Sequence, residues 1–583
     1  MSTKPIAALS VLRYVARRLP FREKIAFLFL VFLLAFSVFG IIVGVNRLYA
    51  KEVPAEGGSF TEGIIGTPRF INPLIAISDS DRDLTALVYS GLLRPDGSGG
   101  LIPDLAERYE ISEDGMTYTF TIKENALWHD GYPVTSDDIL FTIREAKNPA
   151  LKSSKRANWE GVEVEKVDNR VIRFLLRRPY APFLENATLG ILPKHLWEGA
   201  AAEQMALSEF NIRPIGSGPY KVQKVVRNSS GIITSYVLAA NEQFLLGKPF
   251  VKRIALKFYP SEDELIAAYK NGFIDSASSI SPQRINEVRK KGSVLSALNL
   301  PRVFAVFLNQ NTVPAFAELA VRKALVRAVD REKVVAEVFS GYATPLSGPV
   351  PPGTFGALEQ ENPTVPDVDD IRASLKKAGW TFNEKRGVLE KITRGKEPVE
   401  LSFSLVTSNA PDLVQTAQLL KSAWEQLGAK VAVRVFELGD LNQRVIRPRE
   451  YDALLFGEVV GLDPDPFAFW HSSQRNDPGL NIALYTNITV DRLLEAARSD
   501  TDLEERRVTY EKFQQEVRKD APAVFLYSPQ YLYVLPERIR GVAVSAIAVP
   551  SDRFAQIYRW FIDTRKVWPI FIPKNKERSD YVF

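Results

Sequence analysis

The longest unbroken run of apolar positions lies near the start of the chain. Residues 25–45 read IAFLFLVFLLAFSVFGIIVGV and contain no charge. As a helix at about 1.5 Å per residue, the run reaches ~31 Å, the thickness of a bilayer's hydrocarbon core. Arg13, Arg17, Arg18, Arg22 and Lys24 precede it, and basic residues favour the cytoplasmic side. The pattern predicts a basic cytoplasmic tail over 1–24, a transmembrane helix over 25–45 and an exported remainder. A cleaved signal is the rival reading, but its apolar region usually spans about 7–15 residues and ends in a small-x-small site. Here Leu48-Tyr49-Ala50 puts a large residue first. The polar, Pro- and Gly-containing stretch that follows, KEVPAEGGS, is expected to be part of a flexible linker over 46–58.

Beyond that linker, period-2 and period-3.6 patterns alternate, which predicts a mixed α/β fold. Met116 to Ile122 alternates and follows Tyr109-Glu110-Ile111 across an Asp114-Gly115 turn, a hairpin signal. Val162 to Leu176 reads as a second hairpin turning at Asp168-Asn169. Thr135 and Asp138 have capping-box spacing. Ser261 opens a helix that Gly272 closes. Further helices are expected over Phe316 to Ala336, broken near Asp330-Arg331, and over 371–378, 411–427 and 491–519, the last in two pieces. Val431 to Phe436 and Val524 to Tyr533 read as strands, the second fully buried.

Composition narrows the chemistry. The 583 residues are 46% hydrophobic and 25% charged, as in a globular protein. Residues 1–51 carry eight Lys/Arg against Glu23 alone, so they are net +7 in a chain that is +5 overall. The folded part is slightly acidic, which argues against a nucleic-acid partner. There is no Cys, which excludes disulfides, thiolate sites and lipid attachment at Cys, and only three His (His129, His195, His471). No metal or other cofactor is expected. Gly216-Ser217-Gly218-Pro219-Tyr220 lacks the third Gly of a dinucleotide fingerprint, and no P-loop, nucleophile elbow or zinc-protease motif occurs. His129-Asp130 is expected to be structural. Asp463-Pro464-Asp465-Pro466 reads as a rigid, solvated turn or, failing that, as the rim of a binding cleft. No catalytic residue is assigned.

The order of these segments resembles the family 5 extracellular solute-binding proteins, the peptide- and nickel-binding receptors of ABC importers. The resemblance is carried by Asn72-Pro73, Val88 to Leu92, Ser112 to Phe120, Trp128 to Asp138, Gly216 to Tyr220, Leu308-Asn309, Val321 to Leu325, Tyr451 to Ala453, the Asp-Pro turn, Tyr485 to Asn487 and Asp520 to Val524. It implies a two-lobed periplasmic-binding-protein-like (type II) fold with an extra domain inserted in the first lobe. Mapped here, lobe I comprises 59–78, 200–300 and 531–583, the inserted domain 79–199 and lobe II 301–530. The implied function is a membrane-anchored receptor that closes by a hinge on a small-molecule or peptide ligand and docks on ABC permease subunits. An exported hydrolase with a carboxylate pair in the cleft and a ligand-sensing module are the alternatives.

Peptide binders of this family usually place an Asp three residues before the acid of the Asp-Pro turn. Here that position is Val460. Glu458 is the nearest upstream carboxylate, so Glu458→Ala is expected to weaken peptides if it substitutes. Phe467 and Trp470, with Asp463, Asp465, Arg302 and Asn309, complete the expected cleft.

Overall fold

The computed structural model describes residues 20–360, 366–394 and 397–568. Most of the expected basic tail, and the chain after 568, lie outside them. The apolar run sits within one helix, Phe21–Tyr49, whose stretch Phe21–Ile41 is long and apolar enough to cross a bilayer and is not buried against the described residues. The linker expectation is overturned. Lys51–Ala55 is a strand paired antiparallel with Asp563–Val567, and Gly57–Ile65 already belongs to the main sheet. Pro54 is compatible with this because a two-stranded ribbon leaves each strand an unpaired edge.

A twelve-stranded sheet runs through the folded part. One half holds Tyr220–Arg227, Ile233–Ala240, Val251–Tyr259 and Gly57–Ile65; the other holds Arg302–Leu308, Ala453–Val459, Ser402–Ser408 and Lys430–Phe436. The fourteen-residue strand Ala523–Pro536 joins them. Its first half pairs with Arg302–Leu308 and its second with Ser293–Asn299, in register Asn299↔Gln530 to Ser293↔Pro536. Two strands therefore cross side by side between the halves. They are tied there by Ser528 Oγ donating to Leu300 O (2.8 Å) and Gln530 Nε2 to Asn299 Oδ1 (3.1 Å).

The inserted part carries its own antiparallel sheet, Ala106–Ile111, Thr117–Ile122, Val171–Leu176 and Val162–Lys166, containing both predicted hairpins. Its core is continuous with the first half of the main sheet: Phe120, Trp159 and Phe174 belong to one cluster with Phe60, Leu256 and Trp560. The second half has separate cores on the two faces of its sheet. The molecule is thus two bodies, one of which includes the insertion.

The Gly216/Gly218 segment explains itself by close packing. A Cβ on Gly216 would lie 2.0 Å from Val88 O, and one on Gly218 would lie 2.7 Å from the same oxygen. His129 clamps this segment, with Nε2 3.1 Å from Gly218 O and Nδ1 accepting from Gly216 N–H (3.3 Å). Burial pushes its pKa down to about 4, so it is a neutral strut.

Candidate functional site

The strand Ala453–Val459 lies between Ser402–Ser408 and Arg302–Leu308, and its end faces the crossing strands through Arg302↔Val459. The chain leaves at Val460, whose N–H donates to Pro301 O (2.9 Å). It turns at Gly461 (φ +81°) and enters the Asp-Pro turn.

That turn is not solvated. Asp463 receives the fork of Arg506, with Nη1 2.7 Å from Oδ2 and Nη2 on Oδ1. Arg506 is 1% exposed, lies over the rings of Phe355 and Tyr510, and also donates to Ala497 O (3.0 Å). Burial raises the Asp463 carboxyl and Arg506 pulls it back. Asp465 is held by Arg498, with Nη2 at 2.6 Å and Nε at 3.0 Å. Each acid is paired with an arginine of its own body, and Tyr180 of the inserted part adds a long bond from its hydroxyl to Asp465 Oδ2 (3.5 Å), which corrects the reading of a solvated turn.

The inserted part meets this turn directly. Glu185, on the short helix Phe183–Asn186, accepts the Asp463 N–H at 2.6 Å. Ala181 N–H donates to Arg498 O (2.8 Å), and the Arg498 guanidinium lies over Phe467 (4.1 Å) and Tyr180 (5.4 Å). A groove of about 870 Å³ follows this contact, lined by Tyr180, Phe183, Phe467, Glu495 and Arg498 among others. Burial above all, with Asp463 and Asp552 beside it, raises the Glu185 carboxyl to about 7 against the opposing Asp463 N–H and Arg506. No cation among the described residues ion-pairs with it.

A line of charges leads from Glu185 across the two bodies. Glu185 feels Asp552, which sits by Lys155; Lys155 feels Arg82, and Arg82 feels Arg302. Arg302 is desolvated, its Nε is buried without a partner, and no carboxylate among the described residues bonds it. Neither Glu185 nor Arg302 forms an ion pair among the described residues, although Arg506 acts on the first through space and Asp79 on the second; the two mark the ends of this line.

The other expected residues fall elsewhere. Val460 is buried against the lobe II core. Glu458 is 4% exposed, pairs in register with Val303, and neither carboxylate oxygen has a partner. Burial alone pushes its pKa well up. Phe467 does line the groove, stacked between Arg498 and His471. Trp470 does not: it is 1% exposed and packs on Phe307, Tyr485 and Phe525 as core. Asn309 is also withdrawn from the cleft. It sits just past the far end of its strand from Arg302, buried, with Nδ2 donating to Tyr451 O (2.8 Å). Tyr180, Glu185, Lys155, Arg498, Arg506 and Asp552 carried no local sequence signal, because their partners lie on other elements.

With this geometry, the comparisons are decisive. The profile of the bacterial extracellular solute-binding proteins, family 5 Middle, matches residues 100–479. The chain belongs to that family. The oligopeptide-binding protein AppA of Bacillus subtilis (strain 168) is 27% identical, covering 87% of this chain and 92% of its own length. Its solved structure, in complex with a nonapeptide, superposes with a TM-score of 0.64 at 26% identity, over 88% of this chain and 100% of that one. NikZ from Campylobacter jejuni, solved in complex with Ni(L-His), is 29% identical with a TM-score of 0.66, over 86% and 99%. The chain is thus a family 5 solute-binding protein with the family's two-lobed fold and an additional N-terminal apolar helix. The family is one of extracytoplasmic receptors of ABC importers rather than of enzymes.

Proposed function

We propose that this solute-binding protein is held at the outer face of the cell membrane by its N-terminal helix and presents an oligopeptide-like ligand to ABC permease subunits. The two bodies correspond to lobe I with its inserted domain (59–300 and 531–583) and lobe II (301–530), moving about the strands that cross at Leu300-Pro301 and Ser528 to Gln530. Ligand in the cleft stabilises the closed arrangement by touching both. An uncleaved anchor raises the receptor's concentration near its permease.

The observation that carries the ligand class is this pair of charges, neither of which has an ion-pair partner among the described residues. A peptide is a zwitterion, and Glu185 and Arg302 would meet its ammonium and carboxylate across the cleft. Val460 carries no charge and Glu458 is buried within its strand, so Glu185 takes the role an upstream acid would have.

Calorimetric titration with free, N-acetylated and C-amidated peptides tests this. Each block is expected to weaken binding by about tenfold or more (1.4 kcal/mol per decade). Glu185→Gln should erase sensitivity to the N-terminal block and Arg302→Met sensitivity to the C-terminal one. Binding of Ni(L-His) with none of peptides would overturn the ligand class, and a cleaved peptide in the mixture would overturn the receptor.

A further inference from the structure

The helix Phe21–Tyr49 ends two residues before the strand Lys51–Ala55, which pairs with Asp563–Val567 and, among the described residues, with no other strand. The register is Lys51↔Val567 and Glu52↔Lys566, so the end of the second strand returns to the point where the helix stops. Four further helical residues, Asn46 to Tyr49, follow Val45, the end of the uncharged run. As helix they rise about 6 Å, which is roughly the thickness of the headgroup layer on one side of a bilayer. The ribbon therefore begins at the outer boundary of the headgroups.

Its chemistry suits that place. Lys51, Arg565 and Lys566 are exposed, and only Lys566 has an acid, Glu52, opposite it in register. Next comes Trp568, partly exposed. The sequence continues through Ile570, Phe571 and Ile572 to Lys574, Lys576 and Arg578. Aromatic side chains favour the membrane–water interface, and Lys/Arg near an anionic surface each add attraction.

We propose that this ribbon is a second membrane contact, with Lys51, Arg565 and Lys566 on anionic headgroups and Trp568 in the interface. Lobe I is then fixed to the bilayer at two points close together. The ribbon is short and runs directly into the main sheet at Gly57, where Phe60 packs on Trp560. Lobe I is thus oriented as well as tethered, and lobe II is the body free to swing. This inference rests on the helix being in the membrane.

The chain offers a specific probe. Seven of its eight Trp (128, 159, 197, 380, 424, 470 and 560) are less than 2% exposed; the eighth is Trp568. The full-length chain is reconstituted into vesicles of phosphatidylcholine and phosphatidylglycerol in which the phosphatidylcholine is brominated. Co-flotation reports the anchor, and Trp quenching reports the ribbon. We expect co-flotation with a quenched component that Trp568→Phe removes. Lys51→Glu combined with Arg565→Glu should cut that component at least twofold without affecting co-flotation. Co-flotation with no quenching would overturn the second contact while leaving the anchor standing; loss of co-flotation would overturn the anchor itself. Quenching absent on lipid, with Trp568 shielded only when a permease is present, would assign the ribbon to a protein partner and overturn the lipid contact.

Discussion

Two buried or half-buried clusters in this molecule set arginine against a pair of acids, one inside lobe I and one at the seam, and they are built for opposite purposes. In lobe I, Arg553 is 1% exposed and binds Glu62 (Nη2–Oε1 2.6 Å) and Asp83 (Nη1–Oδ1 2.6 Å) together, while Tyr533 donates to the remaining oxygen of Glu62 at 2.6 Å. Its members come from the first main-sheet strand, the helix Asp79–Val88, the shared strand Ala523–Pro536 and the C-terminal segment. At the seam, Arg506 and Arg498 serve Asp463 and Asp465, and the Arg498 side chain is 36% exposed. The first cluster closes on itself inside one body. The second completes its bonding across the boundary, through Glu185 and Ala181 of the facing part. A buried network with every member satisfied fixes one arrangement. A network whose last bonds cross between bodies can exist in two.

The largest expected effect is therefore in lobe I. Arg553→Met leaves Glu62 and Asp83 buried without their cation, and breaking a buried pair from one side costs about 3–5 kcal/mol. Burial already pushes both carboxyls up, with Arg553 opposing. Urea unfolding should show that loss, whereas peptide affinity of the surviving folded protein should be almost unchanged. Weakened affinity at unchanged stability would collapse the distinction between the two clusters.

The elements of both clusters were legible in the sequence, but their meeting was not. The helix Pro411–Leu427, stopped by Gly428 at φ +105°, lies where periodicity and the C-terminal glycine put it. So do the hairpins and the helix opened by Thr135, whose N–H donates to Asp138 (2.8 Å). The stretch Val524 to Tyr533 reads correctly as buried, yet nothing in its apolar pattern shows that one strand serves two bodies. The Asp-Pro turn drew notice for its acids, but whether they were free depended on Arg498 and Arg506, which lie on two different helices. Glu185 bonds a residue 278 positions away. Local pattern reports the face a residue presents, not what the other body brings to it. Trp470 and Asn309 erred the same way: nearness in sequence to a turn and a crossover did not decide burial.

A middle-sized effect separates the clusters by pH. Glu185 has an ordinary pKa of 4.5, raised to about 7 where the bodies touch. A carboxyl with a higher pKa in the closed arrangement makes closing take up a proton. The resulting preference for contact is fully present below about 4.5 and is lost as pH rises through about 7. Each unit is worth ~1.4 kcal/mol, so the closed-to-open ratio should fall by up to ~300-fold across that window. Asp463, Asp552, Tyr180 and Arg506 face the same carboxyl, and a ligand ammonium at this point would replace the proton. Spin labels placed on either side of the seam, in a chain with no native Cys, should report shorter distances at pH 5 than at pH 8. Glu185→Gln should abolish the change. A pH response that survives Glu185→Gln would move the sensor elsewhere.

The smallest effect belongs to Arg498, and its size is informative. The side chain is partly solvated, so its pair with Asp465 is worth only about 0.2–1 kcal/mol and screens with salt. Stacking over Phe467 adds ~0.5 kcal/mol at an exposed site. The bond from Ala181 N–H goes to the main-chain oxygen of Arg498 and survives truncation. Arg498→Ala should accordingly leave urea stability within about 1 kcal/mol of the parent, while ligand dissociation measured by stopped flow accelerates a few-fold. Arg498→Lys keeps the charge but loses the flat fork and most of the stacking, so it should fall between the two. If Arg498→Ala destabilised the fold as Arg553→Met does, the seam would be part of a permanent core, and the two bodies would be one.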